Sequence, residues 1–241
     1  MNIGAFSDKG VVRKLNEDSF FISNGKYIYG MVADGMGGHQ AGEVASGMVC
    51  ELVKNEIEKN FFDDMSCDDA ADIIKRAFIE ANSAVYAYAE AHSKMLGMGT
   101  TATFAMIYKD KIITAHVGDS RIYSVGATSI RQITNDHSYV QELLSRGEIS
   151  EEAAKVHPKK NYITRAMGTE ETIKVDVEIF NYFGEIILIC SDGLTNMVED
   201  ETICGIVNNY KADLRSGAEK LVQTANENGG TDNITVVVLC D

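Results

Sequence analysis

The chain repeatedly ends or begins a run of apolar residues on a carboxylate. Asp34 follows YIYGMVA, Asp119 follows IITAHVG and Asp192 follows IILICS. Asp232 sits in GGTDNITVVV, just before the last apolar run, and Glu17 and Asp18 sit in RKLNEDSF, just before an early one. Glycine stands beside or close to the acid in every case but the early pair. Taken singly, Asp-Gly after a strand is an ordinary turn. Five such sites together suggest more. Carboxylates that converge repel one another and raise each other's pKa, and cations relieve that conflict. Asp side chains, a backbone carbonyl and water suit hard ions such as Mg2+ or Mn2+. Glycine next to Asp34 would let the backbone come close enough for the Gly35 carbonyl to be a ligand.

Such acids must be carried by elements that bring strand ends together. Short runs rich in β-branched and aromatic residues read as strands: SFFIS, YIYGMVA, TTATFAMIY, KIITAHVG, RIYSVG, VEIF, EIILIC and NITVVVLC, separated by turns such as NGK and YKDK. Apolar positions at helical spacing predict helices over 42–59 and 68–93, around Ala218 to Ala225, and over 199–208. Strands follow strands through short turns and helices come in adjacent pairs. That order implies antiparallel sheets with helices packed outside, an α+β layered fold.

Composition narrows the function. The 241 residues carry 22 basic and 36 acidic side chains, a net charge of −14, which argues against nucleic acid or an anionic membrane as partner. A phosphate substrate stays possible, because bound cations invert the local field. One proline and no linker-like stretch give no domain boundary, so 1–241 reads as one domain. No amino-terminal leader pattern and no run of about 20 apolar residues is found. The five scattered cysteines form no CxxC pair and suit a reducing cytoplasm, each as a small buried hydrophobe. Cys190 ends an apolar run without a CxxxxxR cradle, which makes it a poor nucleophile. No GxxxxGK[ST] is present and the glycines at 35, 37, 38 and 42 lack GxGxxG spacing, against a nucleotide cradle.

Taken together, RKLNEDSF, VADGMGGHQAGEVAS, GMGTTATFAMI, AHVGDSRIY, LICSDGLTNMV and GGTDNITVVV resemble the metal-dependent protein serine/threonine phosphatases, the PPM or protein phosphatase 2C family, and most of all their compact bacterial members. The motifs run in family order from residue 4 to residue 239. The resemblance implies a four-layer αββα sandwich, two antiparallel sheets flanked by helix pairs, with two Mn2+ or Mg2+ ions in the cleft between the sheets. Carried over by position, Asp34 would bridge both ions, the Gly35 carbonyl would bind one, and Asp192 and Asp232 would hold the other. Glu17 or Asp18 would act on metal-bound waters, Asp119 with Asp192 would form a weaker third site, and Arg13 would grip the substrate phosphate. A mobile flap is implied at about 137–167, where Lys159, Lys160 and Arg165 could meet a phosphopeptide.

The chemistry implied is hydrolysis of phosphoserine and phosphothreonine by a metal-bridged water or hydroxide, with no phosphoenzyme. The leaving alkoxide needs a proton, and either His39 or a metal-bound water could supply it. Here Met36 follows the Asp-Gly pair where eukaryotic relatives have His. His116, inside a strand-like run, reads as a core residue, and His137 and His157 are weaker candidates still. The implied partners are phosphoproteins and a cognate serine/threonine kinase, with the enzyme a cytoplasmic monomer. Two rival readings are a phosphatase-like binding module without catalysis and a phosphomonoesterase acting on a small metabolite.

Overall fold

The computed structural model describes residues 3–23, 25–37 and 41–241. His39, the candidate proton donor, lies outside the described residues. Two antiparallel sheets are stacked face to face. One has the order β2 (Asp18–Ile22), β3 (Ile28–Met36), β5 (Ala102–Tyr108), β6 (Lys111–Val117), β9 (Asp176–Asn181), with the short β4 (Gly99–Thr100) also paired to β3. The other has the order β1 (Ile3–Asp8), β11 (Ile234–Leu239), β10 (Ile186–Cys190), β7 (Arg121–Val125), β8 (Ile130–Gln132).

The stacking follows from residue alternation. Successive side chains of a strand face opposite ways. In β3, Met31 and Ala33 pack under helices α1 (Ala41–Asn60) and α2 (Cys67–Ala91), while Val32 points to the opposite sheet. In β10 and β11, Leu188, Cys190, Val236 and Val238 pack under α6 (Asp200–Asn209) and α7 (Leu214–Glu227). Ile187, Ile189 and Val237 meet Val32, Ala105 and Ile112 between the sheets. The central strands β5, β10 and β11 read as apolar on both faces because both faces are covered. Ile187 is fully buried in that middle layer, and cutting it to alanine would cost about 2–5 kcal/mol in lost contact and cavity.

Local signals set the helices. Ser66 caps α2, its hydroxyl accepting the Asp69 N–H at 3.0 Å, with Asp68 and Asp69 in the positively polarised first turn. Two elements depart from the sequence expectation. The strand β1 was not expected, since IGAFSD is short and carries a glycine. It forms the edge of its sheet by pairing Ile3 to Asp8 against Leu239 to Ile234. Its Gly4 is needed, because a Cβ there would lie 2.2 Å from the Leu214 carbonyl oxygen of α7. The segment 137–167 contains two short helices, α3 (Tyr139–Ser145) and α4 (Glu151–Lys155), started by the Ser138 and Ser150 hydroxyls, which accept the N–H groups of Gln141 and Ala153 at 3.3 Å. No helix among the described residues is long and apolar enough to cross a membrane.

Candidate active site

The layer between the sheets is aliphatic over most of its length and turns polar at one end. The same alternation that points Val32 inward points Asp34 inward two residues later. Ile189 leads to Ser191 on β10, and Val237 leads back to Thr235 on β11. Asp18 stands directly opposite Asp34 in the β2–β3 pairing. Asp192 opens the one-turn helix α5 (Asp192–Thr195), Asp119 lies in the turn from β6 to β7, and Asp232 lies just ahead of β11. The acids predicted from strand ends are thus drawn together from both sheets.

Their mutual influence shows how close they are. Asp34 is held well above the usual carboxylate range by loss of water, then by the charges of Asp18, Asp192, Asp119 and Asp232. Burial pushes Asp18 up to about 7, with Asp192 and Asp232 adding to it and hydrogen bonds from Thr235 and Ser191 opposing it. Burial, then the charges of Asp192 and Asp136, pushes Asp119 up to about 8. Asp192 is raised by burial and then by Asp232, and Glu17 by burial against the pull of Arg13 and the Gly42 N–H.

The hydrogen bonding is one-sided. Ser191 Oγ and Thr235 Oγ1 both donate to Asp18 Oδ2, at 2.8 and 2.7 Å. Asn196 Nδ2 donates to Asp192 Oδ2 at 2.9 Å. The other oxygens, Asp18 Oδ1, Asp192 Oδ1, Asp119 Oδ1 and Glu17 Oε1, are buried without a hydrogen-bond partner among the described residues. Leaving a buried carboxylate oxygen unsatisfied is costly, so four at one place fit a site for cations and their waters. Among the described residues no three His, Cys, Asp or Glu side chains form a ready-made cage for a single ion.

Arg13 closes one margin, its Nη2 donating to Asp232 Oδ2 at 2.7 Å while the side chain stays half exposed. An exposed pair of this kind adds little stability; its effect is to hold a guanidinium at the edge of the acids. The loop bearing Arg13 is organised by Asn233, which the sequence reading did not single out. Asn233 Nδ2 donates to the carbonyls of Lys9 and Leu15 at 2.9 and 2.8 Å, and its Oδ1 accepts the Glu17 N–H at 2.8 Å. Its own N–H is bound by Asp232 Oδ1 at 2.8 Å.

Gly35 is also required by packing. A Cβ there would lie 2.2 Å from the Gly42 carbonyl oxygen and 2.5 Å from that of Glu17. The glycine lets the start of α1 and the Glu17 loop press against β3. The Asp34 carbonyl is taken up by the Thr101 N–H and the Thr100 hydroxyl, both at 2.8 Å.

The other histidines separate by role. His116 is buried, bonded to Thr103 Oγ1 at 3.0 Å, and its pKa is lowered to about 3 by burial and then His137. It is a core residue, as expected. His137 stands at the base of the flap. Its Nδ1 accepts the Gly118 N–H at 2.9 Å and its Nε2 lies 3.0 Å from Asp176 Oδ2. Arg165 is held there too, donating to Asp176 Oδ1 at 3.0 Å, so it is not free to meet a peptide as Lys159 and Lys160 are. His157 bonds the Lys159 N–H within the flap at 3.1 Å. Cys190 is buried and its thiol is pushed up to about 12 by burial, which removes it as a nucleophile at neutral pH. Two cavities, of about 500 and 520 Å³, lie around Phe62 and around Tyr108, and none of the clustered acids lines either one.

Comparison with known proteins agrees with this geometry. The family model described as protein phosphatase 2C matches residues 11–235. The serine/threonine phosphatase Stp of Listeria welshimeri is 39% identical over 236 residues, covering 97% of this chain and 93% of that protein. The crystal structure of the serine/threonine phosphatase Stp1 from Staphylococcus aureus superposes with a TM-score of 0.90 at 33% identity, over 99% of this chain and 94% of that one. The catalytic domain of the serine/threonine protein phosphatase PstP, in complex with two manganese ions, gives a TM-score of 0.84 at 35% identity, over 99% and 96% of the two chains.

Proposed function

This chain belongs to the protein phosphatase 2C family and is a Mn2+- or Mg2+-dependent protein serine/threonine phosphatase, and from that premise we propose which residues do the work. The four buried, unpartnered carboxylate oxygens at the polar end of the inter-sheet layer carry the reading. Asp34 and the Gly35 carbonyl would hold one cation, Asp34 being shared with a second held by Asp192 and Asp232. Asp119, with Asp192, would hold a weaker third. Two such cations, when bound, polarise the phosphoryl group and supply a nucleophilic water at neutral pH.

The chain's own groups do the rest. Arg13 spends one N–H on Asp232 and keeps its others for the phosphoryl oxygens, which fixes the phosphate against the acids. Asp18, with Oδ2 bound by two hydroxyls, presents Oδ1 as an acceptor to orient water, and Glu17 presents Oε1 beside it. His39 is our candidate for protonating the leaving alkoxide, three positions beyond Met36.

The reading extends to a single catalytic domain over 1–241 whose segment 137–167 is a flap, acting as a monomer in the cytoplasm against a cognate serine/threonine kinase. The test is release of phosphate from a panel of phosphothreonine peptides with and without Mn2+, beside Asp192→Asn. Turnover that survives chelation, or that Asp192→Asn leaves intact, overturns the assignment. Hydrolysis of small phosphomonoesters alone would favour a metabolite substrate.

A further inference from the structure

The loop that carries Arg13 reads Lys-Gly-Val-Val-Arg-Lys-Leu over residues 9–15, and it holds no acid in a chain of net charge −14. Its aliphatic side chains are not tucked away. Val11 is 68% exposed, Val12 64% and Leu15 45%. Single exposed aliphatics are common on protein surfaces. Three in five residues, around the phosphate-facing arginine, form a patch.

This patch is also held in place. The Val11 and Val12 N–H groups both donate to the Gly230 carbonyl, at 2.8 and 3.2 Å. The carbonyls of Lys9 and Leu15 are bound by the same Asn233 side chain. The backbone is therefore fixed at both ends and in the middle, and the aliphatic side chains are held out in water by a loop with little freedom to turn them inward. A surface ordered before its partner arrives loses less entropy on binding.

We propose that Val11, Val12 and Leu15 form a docking surface for the substrate chain, selecting phosphoserine or phosphothreonine segments with aliphatic side chains next to the phosphorylated residue. The inference rests on the phosphatase reading and deepens it. The patch is continuous with the Arg13–Asp232 edge of the site, so a peptide whose phosphate reaches Arg13 must pass over the same loop. Lys9, Arg13 and Lys14 match the charge of a phosphorylated segment, and the aliphatics match uncharged neighbours. An acidic flanking sequence would gain nothing from Val11, Val12 or Leu15.

The experiment compares two phosphothreonine peptides that differ only in the flanking residues, Val and Leu in one, Ser and Gly in the other, with Mn2+ present. On the natural protein kcat/KM should favour the aliphatic peptide about tenfold, through KM. In Val11→Ser/Val12→Ser, and separately in Leu15→Ser, the ratio between the two peptides, read on the same enzyme, should fall toward one. A ratio near one on the natural protein overturns the proposal, and so does a preference that the substitutions leave intact. Binding to anionic vesicles that depends on Val11 and Val12 would assign the patch to a membrane instead. A concentration-dependent dimer abolished by the same changes would assign it to a second copy. Failure to hydrolyse either peptide would sink the phosphatase reading itself, a distinct result.

Discussion

The two margins of the carboxylate cleft are built in opposite ways. On one side the Arg13 loop is fastened by Asn233 and Gly230 to the turn that carries Asp232, with bonds of 2.8 to 3.2 Å at Lys9, Val11, Val12 and Leu15. On the other side the segment 137–167 meets the core mainly at its base, through the contacts of His137 and Arg165 with Asp176 and the isolated bridge of Met167 to Thr100, while a second bridge, Ser138 to Ile163, closes the segment on itself. Beyond that base, α3 buries no residue and α4 buries only Ala154. Segments with few buried contacts open at low free energy. On the proposed roles, the tightly bonded margin would place the phosphate and the residues next to it, and the loosely bonded one would adapt to more distant parts of the substrate.

The largest effect should come from the floor that both margins share. Asp34→Asn or Asp192→Asn is expected to lower kcat about a thousandfold, a loss of roughly 4 kcal/mol, on a phosphothreonine peptide and on p-nitrophenyl phosphate alike. Preserved turnover of either substrate would break the comparison by placing the chemistry elsewhere. Next comes Asn233→Ala, expected to cost about 10–100-fold on both substrates, because one side chain binds the Glu17 N–H and both ends of the Arg13 loop. Arg13→Ala should act more narrowly, raising KM about tenfold with kcat largely kept, as steady-state kinetics would show.

On the flap side the expected effect is smaller and depends on substrate. His137→Gln removes the acceptor for the Gly118 N–H, and it should lower phosphopeptide kcat/KM about threefold while sparing p-nitrophenyl phosphate. Deuterium uptake across 138–163 should rise in parallel. Equal losses on both substrates would mean that the two margins do not divide the work. The smallest effect is on stability. Asp18 and Asp119, raised to about 7 and about 8, hold protons in the folded state that the unfolded chain releases near its ordinary carboxylate range. Their contribution is therefore complete at low pH and is lost as pH rises through those values. Metal-free protein should melt about 5 °C lower at pH 8.5 than at pH 5, with Mn2+ reversing the trend by scanning calorimetry.

The acids were legible because each stands where an apolar run stops, and alternation alone places Asp34 on the face that Val32 faces. The layering was legible for the same reason, since runs such as ITVVVL must be covered on both sides. Asn233 was not, because the groups it binds lie 216 to 224 residues away, and nothing local marks an amide as a clamp. The hydroxyls on Asp18 share that problem, coming from Ser191 and Thr235. The flap helices carried a local signal in Ser138 and Ser150, hidden by reading that stretch for charge alone. The packing of Gly35 against Gly42 was not legible either, since Gly42 lies on the far side of a segment outside the described residues.

One pairing has a consequence for the life of the molecule. Asp18 and Asp34 are cross-strand neighbours on the same face of a hairpin, where two ionised carboxylates would oppose assembly and retained protons relieve the conflict until a cation replaces them. At neutral pH a divalent ion would therefore be a fastener for β2 and β3 as well as a reagent. A cell short of manganese would then lose the enzyme twice, first as idle catalyst and then as a chain whose first hairpin opens to proteases.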